Sequence, residues 1–209
     1  MAGTDEGARR FVALNCTLKH APEASSTDVL LDAVTGELET LGFTGDTIRV
    51  VDRDVAHGVT ADEGDGDGWP AIREQILDAS VLVLGTPIWL GHPASVTQQV
   101  LERLDAFLGE TDDRGQMATV DRVALVAVVG NEDGAHHVGA EVFQGLNDVG
   151  FTLPPGGMTY WVGEAMHTTD LQDLDFIPEK TMTTARTMAV NAAHLVERLS
   201  GEGRFPSLK

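Results

Sequence analysis

The chain has 209 residues, a size that suits one well-filled α/β domain and is short for two, and it carries a formal net charge of −19 with one cysteine. So acidic a surface repels phosphate backbones and anionic lipid, which argues against nucleic-acid and membrane-surface roles. Cys16 alone permits neither an internal disulfide nor a four-cysteine metal centre, and no run of about 18 apolar residues offers a membrane span, so the expectation is a soluble, cytoplasmic protein.

Residues 1–10 are small, polar and charged and are expected to form a disordered tail, with a single domain over 11–200 and a C-terminal tail over 201–209. Asn15 interrupts the apolar run that follows Arg9-Arg10 before a signal-peptide core can form, so the sequon Asn15-Cys16-Thr17 is read as chance. Phe11 to Leu14 predict a first strand. A polar loop follows with Thr17, Lys19, Pro22, Ser25, Ser26 and Thr27, and then a helix over 28–41 whose apolar face is Leu30, Val34, Leu38 and Leu41 and whose stop is Gly42. Hydroxyls at a helix start have two readings. N-capping needs only one of Ser25, Ser26 and Thr27, whereas an anion site would use them together with free N–H groups and a cation. Lys19, one of three lysines in an acidic chain, favours phosphate.

Ile48 to Val51 predict a second strand, followed by a glycine-rich acidic loop over 52–68. From Glu63, the spacing Asp65, Asp67, Gly68, Glu74 imitates a calcium loop. The wrong first residue, Pro70 in the return and the lack of an entering helix favour a solvated acidic loop instead. Trp69-Pro70 opens a short helix with Ile72, Ile76 and Leu77 inward. Val81-Leu82-Val83-Leu84 then reads as a strand buried on both faces. The stiff loop Gly85 to Ser95 leads to a helix that Ser95 could cap, with Val96, Val100, Leu101, Leu104, Phe107 and Leu108 on its apolar stripe. Trp89 on that loop either closes the rim of the core or offers a flat face for stacking.

A polar connector over 109–120 precedes the most apolar strand, Val123 to Val129, and a second shaped loop, Gly130-Asn131-Glu132-Asp133-Gly134. The next helix carries Val138, Val142, Phe143, Leu146 and Val149. Met158 to Val162 predict a fifth strand, 163–178 an irregular loop, and 179–199 a last helix with Ala185, Met188, Ala192, Leu195, Val196 and Leu199 inward. Five strands alternating with five helices predict an α/β doubly wound parallel sheet with right-handed crossovers.

Three loops together carry a resemblance: Thr17-Leu18-Lys19 with Ser26-Thr27 after the first strand, Gly85-Thr86-Pro87-Ile88-Trp89-Leu90-Gly91 after the third, and Gly130 to Gly134 after the fourth. The pattern, covering most of 11–199, resembles the flavodoxin-like NAD(P)H-dependent oxidoreductases, the NADPH-dependent FMN reductase group. That resemblance implies a five-stranded sheet of order 2-1-3-4-5 with helices on both faces. It implies FMN held by its phosphate at Thr17, Lys19, Ser25, Ser26 and Thr27, by its ribityl chain and ring at Pro87, Ile88, Trp89, Leu90 and Gly91, and by its pyrimidine edge at Gly130, Asn131, Glu132, Asp133 and Gly134. Glu132 and Asp133 stand where neutral residues are usual, and would bring charge to the ring unless they turn outward or bond backbone N–H groups.

The implied activity is hydride transfer from NADH or NADPH through FMN to a small-molecule or quinone-like acceptor, in a homodimer or homotetramer. The flavin carries the chemistry, so no protein residue is expected to be catalytic, and Trp89 is the candidate stacking gate. A flavodoxin-type electron carrier is the alternative, and a scaffold without cofactor a third reading. The long loops 52–68 and 163–178 favour the enzyme. No GxGxxG, GxxxxGK[ST] or GxSxG motif appears. No metal site is expected: the adjacent His136 and His137 would point about 100° apart on a helix. A lone His92 either touches a ligand or is a solvated or capping group.

Overall fold

The computed structural model describes residues 9–165 and 167–209, so the expected N-terminal tail lies, but for its last two residues, outside the described residues. Five strands, β1 (Arg10–Asn15), β2 (Thr44–Arg49), β3 (Val81–Trp89), β4 (Val123–Gly130) and β5 (Met158–Val162), pair parallel in the order β2-β1-β3-β4-β5. A two-residue return strand, His92–Pro93, lies off this path and pairs antiparallel with the end of β3. The helices are α1 (Ser26–Thr40), α2 (Trp69–Asp78), α3 (Ser95–Leu104), α4 (Ala135–Asp148) and α5 (Glu179–Arg198). None of the helices described is long and apolar enough to cross a membrane.

The two-residue period of a strand sends alternate side chains into two separate cores. Val12, Leu14, Leu82, Leu84, Val126 and Val128 meet Trp69, Ile72, Val100, Leu104, Val138 and Leu146 of α2, α3 and α4. Phe11, Ala13, Val81, Val83, Leu125 and Ala127 meet Leu30, Leu31, Val34, Ala185, Met188 and Ala192 of α1 and α5. Such double coverage is why the central strands read as unbroken apolar runs.

Several local expectations are corrected. β2 runs over Thr44–Arg49, not Ile48–Val51, and Val50–Asp52 tightens into a 3₁₀ turn. As an edge strand it buries Ile48 alone, so its polar start carries no apolar signal. β3 continues through Pro87 to Trp89. β1 ends at Asn15 opposite Gly85, so at Thr86 and Pro87 β3 is paired with β4 only, before the return strand joins at Ile88, and the missing N–H of Pro87 costs no ladder bond on the open side. Ser95 does not cap α3. Ala94 holds the cap position, and the buried Thr86 hydroxyl of β3 accepts from its N–H at 3.2 Å and from the Thr97 hydroxyl at 2.7 Å. Leu108 is exposed, because α3 gives way to a 3₁₀ turn over Asp105–Gly109 that keeps only Phe107 inside.

The loop 52–68 is not simply a solvated acidic segment. The side chains of Arg103 on α3 and Asp67 are both buried and paired at 2.7 Å. Arg103 also donates to the carbonyls of Ala56 and Thr60, while Asp67 accepts from the N–H groups of Ala56, Glu63 and Trp69. Asp67 is thus consumed inside the protein, which removes the key oxygen of the calcium-like spacing. The segment expected as a C-terminal tail is held to the 112–121 connector. Arg114 donates to Phe205 O at 2.8 Å, Gln116 to Pro206 O at 2.7 Å, and Leu208 N to Arg114 O at 2.8 Å.

Candidate functional site

The chain leaves β1 for β2 through α1 on one face, and reaches the far side of the sheet through β3. The switch point therefore lies between the carboxyl ends of β1 and β3, where open α/β sheets bind ligands. A cleft of about 250 Å³ opens there. Thr17, Leu18, Lys19, Ser25, Ser26 and Thr27 line one end, and Pro87, Ile88, Trp89, Gly130, Asn131 and Glu132 the other, closed by Val129, Trp161 and Asp170.

At the first end Ser25 caps α1, its hydroxyl accepting from Thr27 N at 3.2 Å. One hydroxyl therefore satisfies the capping need. The loop before it is built from its own polar groups: Asn15 Oδ1 accepts from Thr17 N at 2.9 Å and Thr17 Oγ1 from Lys19 N at 3.3 Å. Among the described residues, none accepts from the N–H groups of Leu18, Ser25 or Ser26. Unpaired donors at the positive end of a helix dipole make an anion site. Lys19 donates to Ala24 O at 3.1 Å and lies 3.7 Å from Glu23. That pair is solvent-exposed and weak, so a better anion can take the ammonium. Arg49, which the sequence reading missed, lies beneath. It pairs with Asp28 and donates to Lys19 O at 3.3 Å and Glu23 O at 2.9 Å, neutralising the one acid in the first turn of α1.

The second end is apolar and flat-walled. Trp89 is 54% exposed, Ile88 is buried beneath, and Trp161 of β5 stands half-buried opposite the β1 loop. Asn131 donates to Asp170 Oδ1 at 2.5 Å, and its own Oδ1 is buried with no partner among the described residues. Glu132 does bond a backbone N–H: its Oε1 accepts from Leu90 N at 2.9 Å, so its charge is spent on holding two loops together. Asp133 is exposed and does not line the cleft.

Leu90, Gly91, Asp133 and Gly134, expected as ligand residues, do not line the cleft. Leu90 is 90% exposed at φ 53°. Gly91 and Gly134, both at positive φ, are where the two loops touch, and a Cβ on Gly134 would lie 2.8 Å from Gly91 Cα. Backbone cannot yield there as a side chain can, so Gly134→Ala is expected to cost about 1–3 kcal/mol in urea unfolding. A loss below about 0.5 kcal/mol would show that the loops slide freely, since that is the scale of an ordinary surface substitution. Trp161 and Asp170 were missed because they enter the cleft from the far edge of the sheet with no local signature, while Leu18 and Val129 adjoin expected residues and were passed over as apolar. Cys16 is buried, and that burial pushes its thiol up to about 12 against a hydrogen bond from Thr97, so it stays protonated and inert at neutral pH.

His136 and His137 do diverge as expected. His136 stands edge-on to Tyr160 with centroids 5.2 Å apart, whereas His137 meets His92 and Glu141 outside the cleft.

The cleft lies at the switch point of a parallel α/β sheet, with unpaired backbone donors at one end and two indoles at the other. Residues 9–167 match the NADPH-dependent FMN reductase family, and the chain belongs to it. It is 38% identical over 197 residues to the divalent metal cation transporter MntH of Mycobacterium bovis, covering 91% of this chain but only 29% of that protein's length. It is 32% identical over 205 residues to the 8-demethyl-8-aminoriboflavin-5′-phosphate synthase of Streptomyces davaonensis, covering 92% of this chain and 79% of the relative. The crystal structure of RosB with a bound 8-demethyl-8-formylriboflavin-5′-phosphate intermediate is similar at a TM-score of 0.82 and 31% identity, over 93% of this chain and 81% of that one. An NADH:FMN oxidoreductase (EMOB) shares the fold at a TM-score of 0.64 and 15% identity, over 96% and 95%. The chain has the flavodoxin-like fold of that family and spans under a third of the length of the transporter it matches.

Proposed function

We propose that the cleft binds FMN and that the protein moves hydride from NADH or NADPH to a small-molecule, quinone-like acceptor in the cytoplasm. The observation that supports it is the continuity of the cleft: unpaired donors at the start of α1 lead directly to two indoles. Those residues fit FMN. The N–H groups of Leu18, Ser25 and Ser26, the hydroxyls of Thr17 and Thr27 and the Lys19 ammonium suit a terminal phosphate, while Pro87, Ile88, Trp89 and Trp161 exclude water from one side of a flat ring. Bound FMN supplies the exchange of hydride with nicotinamide and acceptor. The protein's part is to hold the ring and leave one approach open, and the half-exposed Trp89 stands at that opening. Leu90 beside it forms an apolar rim that a second copy would cover, in keeping with a homodimer or homotetramer.

Heat-released ligand is expected to be FMN at one per chain. Stoichiometric FAD, or no flavin after incubation with excess FMN, overturns the reading. Lys19→Ala is expected to weaken FMN binding by about 1.5–3 kcal/mol, the scale of a charged hydrogen bond, and to leave riboflavin binding unchanged. Equal losses for the two ligands would move Lys19 away from the phosphate.

A second reading is favoured by the stronger likeness to RosB than to the NADH:FMN oxidoreductase, 0.82 against 0.64 in TM-score. In it the riboflavin phosphate occupying the cleft is a substrate changed at ring position 8. Mass spectrometry of the flavin recovered after aerobic incubation with an amino donor, which supply the oxidant and nitrogen such a change needs, separates the two: an unchanged mass supports a resident cofactor, an altered one a substrate.

A further inference from the structure

We infer that His92, His137 and Glu141 form a binding site for one divalent cation of the zinc class, on the rim outside the flavin cleft. His137 Nε2 lies 2.7 Å and His92 Nδ1 2.9 Å from the same oxygen, Glu141 Oε1, and the three donor atoms all fall within 4.8 Å of one another. A tetrahedral ion with bonds of about 2.0–2.1 Å holds its ligand atoms about 3.3 Å apart, so small rotamer adjustments convert the cluster into three vertices. Two neutral imidazoles and one carboxylate make the N₂O donor set that zinc accepts, with the fourth position left to water.

The chain brings these groups together by backbone structure that is rigid and specific. His137 and Glu141 are four residues apart on α4 and share a face. His92 comes from a different element, the return strand, where it pairs with Trp89 across the tight Leu90-Gly91 turn, both of whose residues have positive φ. The close contact of Gly91 with Gly134 seats that turn on the start of α4. His92 and His137 are 61% and 58% exposed in their side chains, so a hydrated ion reaches them from solvent, and the chain's net charge of −19 enriches cations at the surface. The neighbouring His136 faces Tyr160 and is not a member, which supplies a control within one residue.

The ion would clamp the return strand to α4. Trp89 lies three residues before His92, so the clamp stiffens one wall of the cleft without contributing a ligand to it.

The test is calorimetric titration of Zn²⁺ into chelator-treated, flavin-free protein, with Co²⁺ absorption as a second signal for a low-coordinate site. One saturable equivalent of Zn²⁺ is expected. His92→Ala, His137→Ala and Glu141→Gln should each weaken it by more than the roughly 10- to 100-fold that loss of an outer-shell partner costs a metal site. His136→Ala should change nothing. These side chains are exposed, and unchanged circular dichroism of each variant confirms that folding is intact. Failure of the unaltered protein to take up a saturable equivalent, or Zn²⁺ binding by the His92→Ala and His137→Ala variants as tight as that of the unaltered protein, overturns the proposal and assigns any uptake to the acidic surface. Since none of the three ligands lines the cleft, the result is independent of whether FMN occupies it.

Discussion

Asp67→Asn is expected to destabilise the fold by about 3–5 kcal/mol, the range for removing one partner of a buried ion pair. The substitution keeps the shape of the side chain and removes its charge. Arg103, fully buried on α3, is then left with the carbonyls of Ala56 and Thr60 and no counter-ion. Burial by itself would raise the Asp67 carboxyl, but the Arg103 hydrogen bond and the N–H groups of Glu63, Trp69 and Ala56 outweigh it and hold the carboxyl well below its ordinary value. A depressed folded-state pKa fixes the sign of the pH dependence. The contribution is fully present above the unfolded value near ~3.9 and is lost as pH falls toward the folded one. The deficit of Asp67→Asn, measured by urea unfolding, should therefore be constant from about pH 8 to 5 and shrink below about pH 4. A loss under about 1 kcal/mol at pH 7 would place the pair among solvent-screened surface pairs and contradict its burial. Because the knot joins 52–68 to α3, the same variant should become cleavable by protease within that loop.

Trp89→Ala is expected to slow reduction of bound FMN by NADH or NADPH roughly 100-fold, since a misplacement of about 1 Å between reacting atoms costs about that much. The indole lines the cleft and is half-exposed, so in the proposed complex it would meet both the ring and whatever approaches it. FMN affinity should fall far less, because one aromatic contact is worth about 0.5–1.5 kcal/mol beyond its buried area. The turn itself should survive, since its register with His92 is made by backbone and by Gly91, not by the indole. Anaerobic stopped-flow mixing with excess nicotinamide reads the rate, and equilibrium titration with FMN reads the affinity. Equal losses in both would reduce Trp89 to a wall. Failure of the unaltered protein to react with either nicotinamide would favour the electron-carrier reading over hydride transfer.

Much of this architecture is legible in the sequence. The buried runs Val81 to Leu84 and Val123 to Val129 could belong only to strands covered on both faces, and the helical stripes between them set the alternation that makes the sheet parallel. The three loops do follow strand ends, and Thr17, Lys19, Ser25, Pro87, Trp89, Gly130 and Asn131 line one cleft, because the carboxyl ends of parallel strands lie side by side. Periodicity failed where burial is sparse: Thr44 to Thr47 form an edge strand whose side chains mostly face solvent, and nothing in their pattern marks it.

What the sequence by itself determined was therefore the order of elements, the two-sided core and the position of the cleft, because these follow from side-chain burial and from spacings within about a dozen residues. What only the tertiary structure decided were contacts between segments far apart in the chain. Arg103 found Asp67, Glu132 found the N–H of Leu90, Trp161 and Asp170 closed the cleft, and His92 met His137 and Glu141. Each of these pairings depends on how loops of different strands are brought side by side by the register of the sheet. A local pattern of polar and apolar residues carries no information about that register, since the charged and imidazole side chains among them would look equally at home in solvent.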